Sequence, residues 1–489
     1  MTSARQPRAV TPQAEASRPG TWPRIQRERA TREAHVARGR AARKVVPRTS
    51  HGAWAPAVDR ADPVQILVDQ ARTRVAELVP VRNARMLASP FTFYRGSAAI
   101  MAADLASTPT SGIEVQLCGD AHLSNFGGYA APDRELVFDL NDFDETLPGP
   151  WEWDVKRLMA SLAIAGRNRG FDDRERSGVV RCAAAAYRNA MRDMAALGHL
   201  QVWYSRLTAT DIRERWGAPA GKNFARQFDR QVEKAMTKDS ERALAKLSHR
   251  VDGRTRIISD PPLIVPISEL LDEDQALAFE QVVEDALRAY RSSLSAGRRH
   301  LLEQFRYVDA ARKVVGVGSV GTRAWVVLML GIVDGEPLVL QLKEANKSVL
   351  ASNGRRSRFN NQGQRVVVGQ QLLQATSDIF LGWTRVNALD GVTRDFYIRQ
   401  LWDWKVSADV EKQSHSTMLI YAQLCGWVLA RGHARSGDRV AIAAYLGGGD
   451  AFDGAMAEFA EAYADQNERD YGQFLDAVRE QRVEVALGH

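Results

Sequence analysis

Two acidic loops, each set at the end of a short β-type run, constrain this chain more than any bulk property does. The run 113–117 feeds Cys118-Gly119-Asp120-Ala121-His122-Leu123-Ser124-Asn125, and the run 135–140 ends at Asn141-Asp142-Phe143-Asp144. A loop carried by strands presents its side chains from a rigid base. Phosphoryl transfer asks for a carboxylate to orient the attacking hydroxyl and for oxygen ligands to hold Mg²⁺ against the phosphates. Asp120 and Asn125, five positions apart, have the spacing of a catalytic Asp followed by a metal-binding Asn. Asp142, seventeen residues past Asn125, can supply a second ligand, and Asp144 lies on the same side of an extended chain, where it can bridge a second ion. Either Asp120 or Asp142 alone reads as an ordinary turn cap. Together at strand ends, they read as a site. His122 is a candidate to meet a phosphate as a catalytic group, or else a hydrogen-bonded residue that orients the loop. After the breaker Pro148-Gly149-Pro150, Asp154 is expected to open a helix with Val155, Leu158, Met159 and Leu162 on one face.

A second feature lies far downstream. Gly316-Val317-Gly318-Ser319-Val320-Gly321 satisfies G-x-G-x-x-G, which by itself is also an ordinary glycine-rich hairpin. A dinucleotide fingerprint would need a helix to begin here, but residues 323–330 are apolar and β-branched and predict a strand. A glycine hairpin between strands is the arrangement in which backbone folds over nucleotide phosphates in kinases. Lys343 closes the apolar run 339–342, twenty-two residues past Gly321, where a lone lysine suits gripping phosphates or else reaches out to water.

The rest of the pattern is coarser. Strands are expected at 325–330, 337–342, 380–386 and 395–401, with helices at 364–375, 417–435 and 452–485 and a mostly helical stretch over 175–300. The 489 residues leave room for two or three domains or one two-lobed enzyme. Eleven Arg and one Lys against three Glu put +9 into residues 1–50, so the formal +7 leaves −2 for the rest. Residues 1–55 are therefore expected to be a disordered basic arm, which allows a weak contact with nucleic acid. Cys118, Cys182 and Cys425 are too few and too scattered for a disulfide framework. No apolar run reaches the ~18–20 residues of a membrane span, so a cytoplasmic location with no membrane contact is expected.

The loop Cys118–Asn125 resembles the H-G-D-x-H-x-x-N loop of aminoglycoside and choline phosphotransferases, with Cys118 in place of the first His. Asn141-Asp142-Phe143-Asp144, together with Pro150 and Asp154, resembles their I-D-F-D-D…G-P…D segment. From about Ala53 onward the chain also resembles an uncharacterised bacterial family, domain of unknown function 2252, on residues 89–96, 119–127, 138–158 and 433–438. The kinase-like resemblance implies an α+β, two-lobed fold, with a small antiparallel β lobe and a large helical lobe. The implied division is a helical lobe over 56–305 carrying the catalytic and metal-binding loops, a β-rich nucleotide-binding lobe over 306–405, and C-terminal helices over 406–489. It also implies ATP and Mg²⁺ as cofactors and a small-molecule or protein acceptor. Asp120 would be the catalytic carboxylate, Asn125 and Asp142 the metal ligands, and Lys343 the phosphate lysine beneath Gly316, Gly318, Ser319 and Gly321.

Two departures accompany it. The acidic loops precede the glycine loop, the reverse of the kinase order, which a circular permutation would reconcile. Kinases also pair the lysine with a glutamate on a following helix, and between Ala345 and Val410 there is no Glu. Glu344 points to the opposite strand face, and the expected helix offers only Gln370 and Gln371. Two other functions share these residues: a nucleotide-binding scaffold without catalysis, and a metal-dependent phosphoesterase, for which nine scattered histidines are a poor ligand set.

Overall fold

The computed structural model describes residues 31–486 apart from 218–221, 238–239, 252–253, 315, 334, 402–403 and 405. The fold is mixed α+β with antiparallel sheets. Strands β1 (Glu114–Leu117) and β4 (Leu147–Pro150) form one pair, and β2 (Phe126–Ala130), β3 (Leu136–Leu140) and β13 (Val406–Ser407) form a three-stranded sheet in the order β13-β2-β3. A small hairpin joins β5 (Ser248–Val251) to β6 (Arg254–Ile257). The main sheet comprises β7 (Ile264–Pro266), β8 (Phe305–Lys313), β9 (Ala324–Gly331), β10 (Pro337–Glu344), β11 (Gly382–Asn387) and β12 (Thr393–Gln400). Their order is β11-β12-β10-β9-β8-β7, antiparallel throughout.

Alternation along β10 decides which side chains reach the rest of the molecule. Leu338, Leu340 and Leu342 share a core with Val283, Leu287 and Tyr290 of the Glu273–Arg291 helix. The odd positions Val339, Gln341 and Lys343 therefore lie on the opposite face. There Val339 packs with Leu247 and Ile264, while Gln341 borders a cleft against the helical body. This arrangement moves the expected boundary at 305/306: β7 and the Glu273–Arg291 helix, placed with the helical lobe, instead complete the sheet and its core. Sheet burial on both faces demands these covering elements, and nothing in their own periodicity says which body they cover.

The helical body is assembled from both ends of the chain. Residues of the Trp151–Asn168, Asp173–Ala196, His415–Ser436 and Ala451–Arg479 helices share one large core. Trp151–Asn168 is buried at every position from Trp151 through Gly166, so it runs through the centre. Its start corrects an expectation: Trp151 opens the helix behind Pro150, and Asp154 falls inside the first turn rather than at the cap. β3 is fastened to the His415–Ser436 helix by Arg431, which donates to the buried carboxylate of Asp139. The segment 89–96 holds the helix Pro90–Gly96, opened by reciprocal capping between Ser89 and Thr92.

The basic arm is also corrected over its described part. Arg32–Val45 is a helix with Thr31 accepting from the Ala34 N–H at its start. Gly39 lets it lie against the Arg439–Leu446 helix: a Cβ there would come within 2.1 Å of the Ala441 carbonyl oxygen. His35 Nδ1 meets Asp438 Oδ2 at 2.7 Å, Arg48 donates to the Leu446 carbonyl at 2.5 Å, and buried His51 meets the Tyr445 hydroxyl at 2.6 Å. Arg32, which donates to the Ala195 carbonyl at 2.7 Å, Arg38, which meets Asp438 at 3.3 Å, and Arg48 are cations of the expected solvated arm that are spent on the body of the protein. Residues 1–30 of the expected arm lie outside the described residues.

Candidate active site

Hairpin β2–β3 brings the two acidic loops together. Phe126 pairs with Leu140, and just beyond the ladder the Asn141 N–H donates to the Asn125 carbonyl at 2.9 Å. Asn125 and Asp142 are thereby neighbours across one strand end. The Asn125 amide donates to the Asp120 carbonyl at 2.8 Å, which commits its nitrogen and leaves its oxygen available. Gly119 bends the loop at φ 86°, and a Cβ there would lie 2.2 Å from the Glu145 carbonyl oxygen, so no other residue fits. The carboxylate of Asp154 accepts from the Cys118 N–H at 2.7 Å and the Gly119 N–H at 3.0 Å. His433 Nε2 stands 3.2 Å from Asp154, and its Nδ1 stands 2.8 Å from the Tyr187 hydroxyl. Asp154 is thus a brace for the loop, set by a helix nearly 280 residues downstream.

Asp120 accepts from Arg157 Nε at 2.8 Å, and that guanidinium lies 3.7 Å over the Tyr94 ring while donating to the Tyr94 carbonyl at 2.7 Å. Burial pushes the Asp120 carboxyl up to about 6; Arg157 pulls it down, and the charges of Asp142 and Asp154 add to the rise. Its side chain keeps one-fifth of its surface exposed, so it remains reachable. A carboxylate in that range suits proton transfer near neutral pH.

His122 is buried, and its Nδ1 accepts from the Ser124 N–H at 3.2 Å. Burial, with Arg95 and Arg157 adding to the effect, holds it well below the usual histidine range. The ring is therefore neutral, and its 3.7 Å approach to Asp120 is a weak polar contact rather than an ion pair. It shapes the loop.

Lys343 comes to these loops from β10. Its ammonium is paired with Asp144 and stands 3.9 Å from Asp142. Burial alone would lower it, but the two carboxylates outweigh burial and hold it above the ordinary lysine value. For Asp144 burial opposes the charge, yet Lys343 prevails and keeps the carboxyl below its usual range. Asp144 also accepts from the Tyr397 hydroxyl at 2.8 Å and from Ser319 Oγ at 3.3 Å. With these contacts made it is the lysine's counter-ion. It is the acidic group beside Lys343, where the following helix offers only Gln370 and Gln371. The helix Gln362–Leu373 supplies Arg365 instead, which donates to the Asp144 carbonyl at 2.8 Å and the Thr146 carbonyl at 2.7 Å. Glu344, on the other strand face, meets Arg323 at 3.3 Å.

The glycine loop joins β8 to β9, with positive φ at Gly316 (67°) and Gly321 (88°). It is docked on the N-terminal helices: Arg85 donates to the Gly316 carbonyl and Arg74 to the Val320 carbonyl, each at 2.5 Å. Val317 packs with Val64, Leu67 and Phe93. A Cβ on Gly318 would lie 3.1 Å from the Arg95 carbonyl oxygen. Ser319 touches Asp144, as above, so loop, lysine and acidic segment form one contact.

Beside them opens a cleft of about 660 Å³, bordered by Tyr129, Asn141, Gly316, Gln341, Arg399 and Gln400, within the usual size for a small-molecule site. Among the described residues no three His, Cys, Asp or Glu side chains gather as a complete metal cage. The oxygens of Asn125 and Asp142 are hard donors of the kind Mg²⁺ takes when phosphate and water complete its shell, so the residues fit that cation bound with a phosphate ligand.

A family model described as an uncharacterized protein conserved in bacteria (DUF2252) matches residues 74–477. No curated protein and no solved structure matches the chain.

Proposed function

The chain belongs to that bacterial family, whose description assigns no chemistry, and from this starting point we propose that it is an ATP- and Mg²⁺-dependent phosphotransferase with a two-lobed, circularly permuted kinase-like fold. The carrying observation is the meeting of Lys343 with Asp144 and Asp142, since it sets a lysine of the β sheet against the acidic loops beside a nucleotide-sized cleft.

On this reading the nucleotide lies in the cleft, with Lys343 and the glycine loop toward its phosphates. Asn125 and Asp142 hold the cation, which supplies positive charge to the phosphate oxygens. Asp120 accepts a hydrogen bond from the acceptor hydroxyl or amine. As the acceptor atom bonds to the terminal phosphorus, the bond from that phosphorus to its bridging oxygen breaks. The acceptor proton passes to Asp120 and ADP departs. Arg157 keeps Asp120 aimed, and Asp154 keeps its loop in place.

Purified protein incubated with Mg-ATP and a panel of hydroxylated and aminated small molecules should release ADP with at least one of them. Asp120→Asn should abolish that release while leaving nucleotide binding intact. Undiminished turnover in that variant removes Asp120 from the chemistry. A second reading, a nucleotide-binding scaffold that does not turn over, is favoured by one feature: Lys343 is paired with an aspartate of the acidic loop and not with a helix glutamate. Tight Mg-ATP binding with no consumption across the panel would select it.

A further inference from the structure

We infer that Arg95 is the residue that grips the terminal phosphate of the bound nucleotide, through a guanidinium that the described residues leave without a partner. This rests on the phosphotransferase reading above and adds a residue that neither the acidic loops nor the glycine loop contains.

The cations around the site are accounted for one by one. Arg74 and Arg85 donate to carbonyls of the glycine loop, Arg157 to Asp120 and Tyr94, Arg365 to the acidic segment, Arg399 to Gln341 and the Asn141 carbonyl, and Lys343 pairs with Asp144. Arg95 differs. Its Nε is shielded from solvent with no hydrogen-bond partner, and among the described residues its guanidinium makes no hydrogen bond or ion pair. Asp120 and Glu411 are the negative charges that act on it and Arg85 the positive one, but neither carboxylate reaches ion-pair distance among the described residues. Burial lowers the Arg95 guanidinium below its usual range. A largely buried charge without a partner is costly, and an anion supplied by a ligand would remove that cost.

Its surroundings identify the anion. Arg95 sits in the last turn of Pro90–Gly96, beside Tyr94, whose hydroxyl donates to the Arg157 carbonyl at 2.8 Å and whose own carbonyl accepts from Arg157. Arg157 in turn holds Asp120, so the backbone of Arg95 is fixed relative to the carboxylate that meets the acceptor. On its other side, the Arg95 carbonyl abuts Gly318 of the loop that covers the phosphates. The residue thus stands between donor cover and acceptor carboxylate. The group that passes between those two is the terminal phosphoryl group. The planar fork of arginine suits its non-bridging oxygens, and an arginine in such a position stabilises the charge of phosphoryl transfer.

The test compares Mg-ATP with Mg-ADP by calorimetric titration of the full chain, with thermal melting alongside. Wild-type protein should favour ATP, and Arg95→Gln should weaken ATP by roughly ten- to a hundredfold, the worth of a charge-assisted hydrogen bond, while changing ADP by less than about twofold. Arg95→Lys, which keeps the charge and most of the stem, should fall between and serves if Arg95→Gln fails to fold. An unchanged ATP-over-ADP ratio in both variants overturns the assignment of Arg95 and leaves the nucleotide site standing. Wild-type protein that binds neither nucleotide overturns the phosphotransferase reading and this assignment with it.

Discussion

The ammonium of Lys343 is paired with the carboxylate of Asp144, which lies 199 residues earlier in the chain. The lysine is 3% exposed and the aspartate 24% exposed, so the pair is largely buried rather than a surface ion pair. Asp144→Asn should destabilise the protein by about 2–3 kcal/mol, less than a fully buried pair would cost because Asp144 is partly solvated. Lys343→Met in the Asp144→Asn background should recover part of it. Urea unfolding measures both, and an Asp144→Asn variant as stable as the parent would mean that the pair is not maintained in solution.

The pH dependence of activity should carry the signature of Asp120. Its carboxyl is raised to about 6 in the folded protein, above the ordinary value near 3.9. The folded state therefore holds this proton more tightly than the unfolded state. The group's contribution to stability is fully present below the ordinary value and is lost as pH rises through about 6. Turnover runs the other way: the ionised form is the base, so initial rates should climb as pH passes through about 6. A profile flat from pH 5 to 7 would exclude Asp120 as the titrating base.

Asp154 should matter more for stability than an exposed first-turn aspartate does. Asp154→Ala removes the acceptor for two backbone N–H groups and the neighbour of His433. Leaving two buried donors unmet should cost about 2–4 kcal/mol. Asp154→Asn, which keeps one acceptor oxygen, should cost less. Chemical denaturation of the two variants distinguishes them, and equal stability of Asp154→Ala and wild type would refute the bracing role.

Two glycines with similar backbone angles should respond differently to alanine. Gly119 (φ 86°) has the Glu145 carbonyl oxygen 2.2 Å from a would-be Cβ, whereas Gly170 (φ 75°) has open space there. Gly170→Ala should cost only the left-handed penalty of about 1–2 kcal/mol. Gly119→Ala should cost more and disturb the Asp120 loop, seen as a lower melting temperature than Gly170→Ala. Equal melting temperatures would show that the loop yields easily.

Local signals carried much of the fold. The structure has strands at 324–331 and 337–344, and helices Gln362–Leu373, His415–Ser436 and Ala451–Arg479, close to where apolar periodicity predicts them. The pattern failed where a neighbour decides the outcome. Phe126–Ala130 holds two glycines and reads poorly as a strand, but β3 and β13 pair with it from both sides. Arg32–Val45 looks solvated because Gly39 is its one fully buried residue, fitting closely against the Arg439–Leu446 helix with His35, Val36, Ala42 and Arg43 half-buried around it.

For the candidate site, the residue types and their spacing along each loop belong to the sequence itself: a turn that only Gly119 permits, the Asp120–Asn125 interval, and a lysine at the end of an apolar strand. Such features depend on neighbours a few residues away, and backbone geometry transmits them directly. The partners were decided by tertiary structure alone. Asp144 beside Lys343, Arg157 on Asp120, His433 against Asp154 and Arg365 on the acidic segment each join residues dozens to hundreds of positions apart. An ion pair has no preferred sequence separation. Which charges meet is set by how the helices and the sheet pack, and that packing is a property of the whole chain.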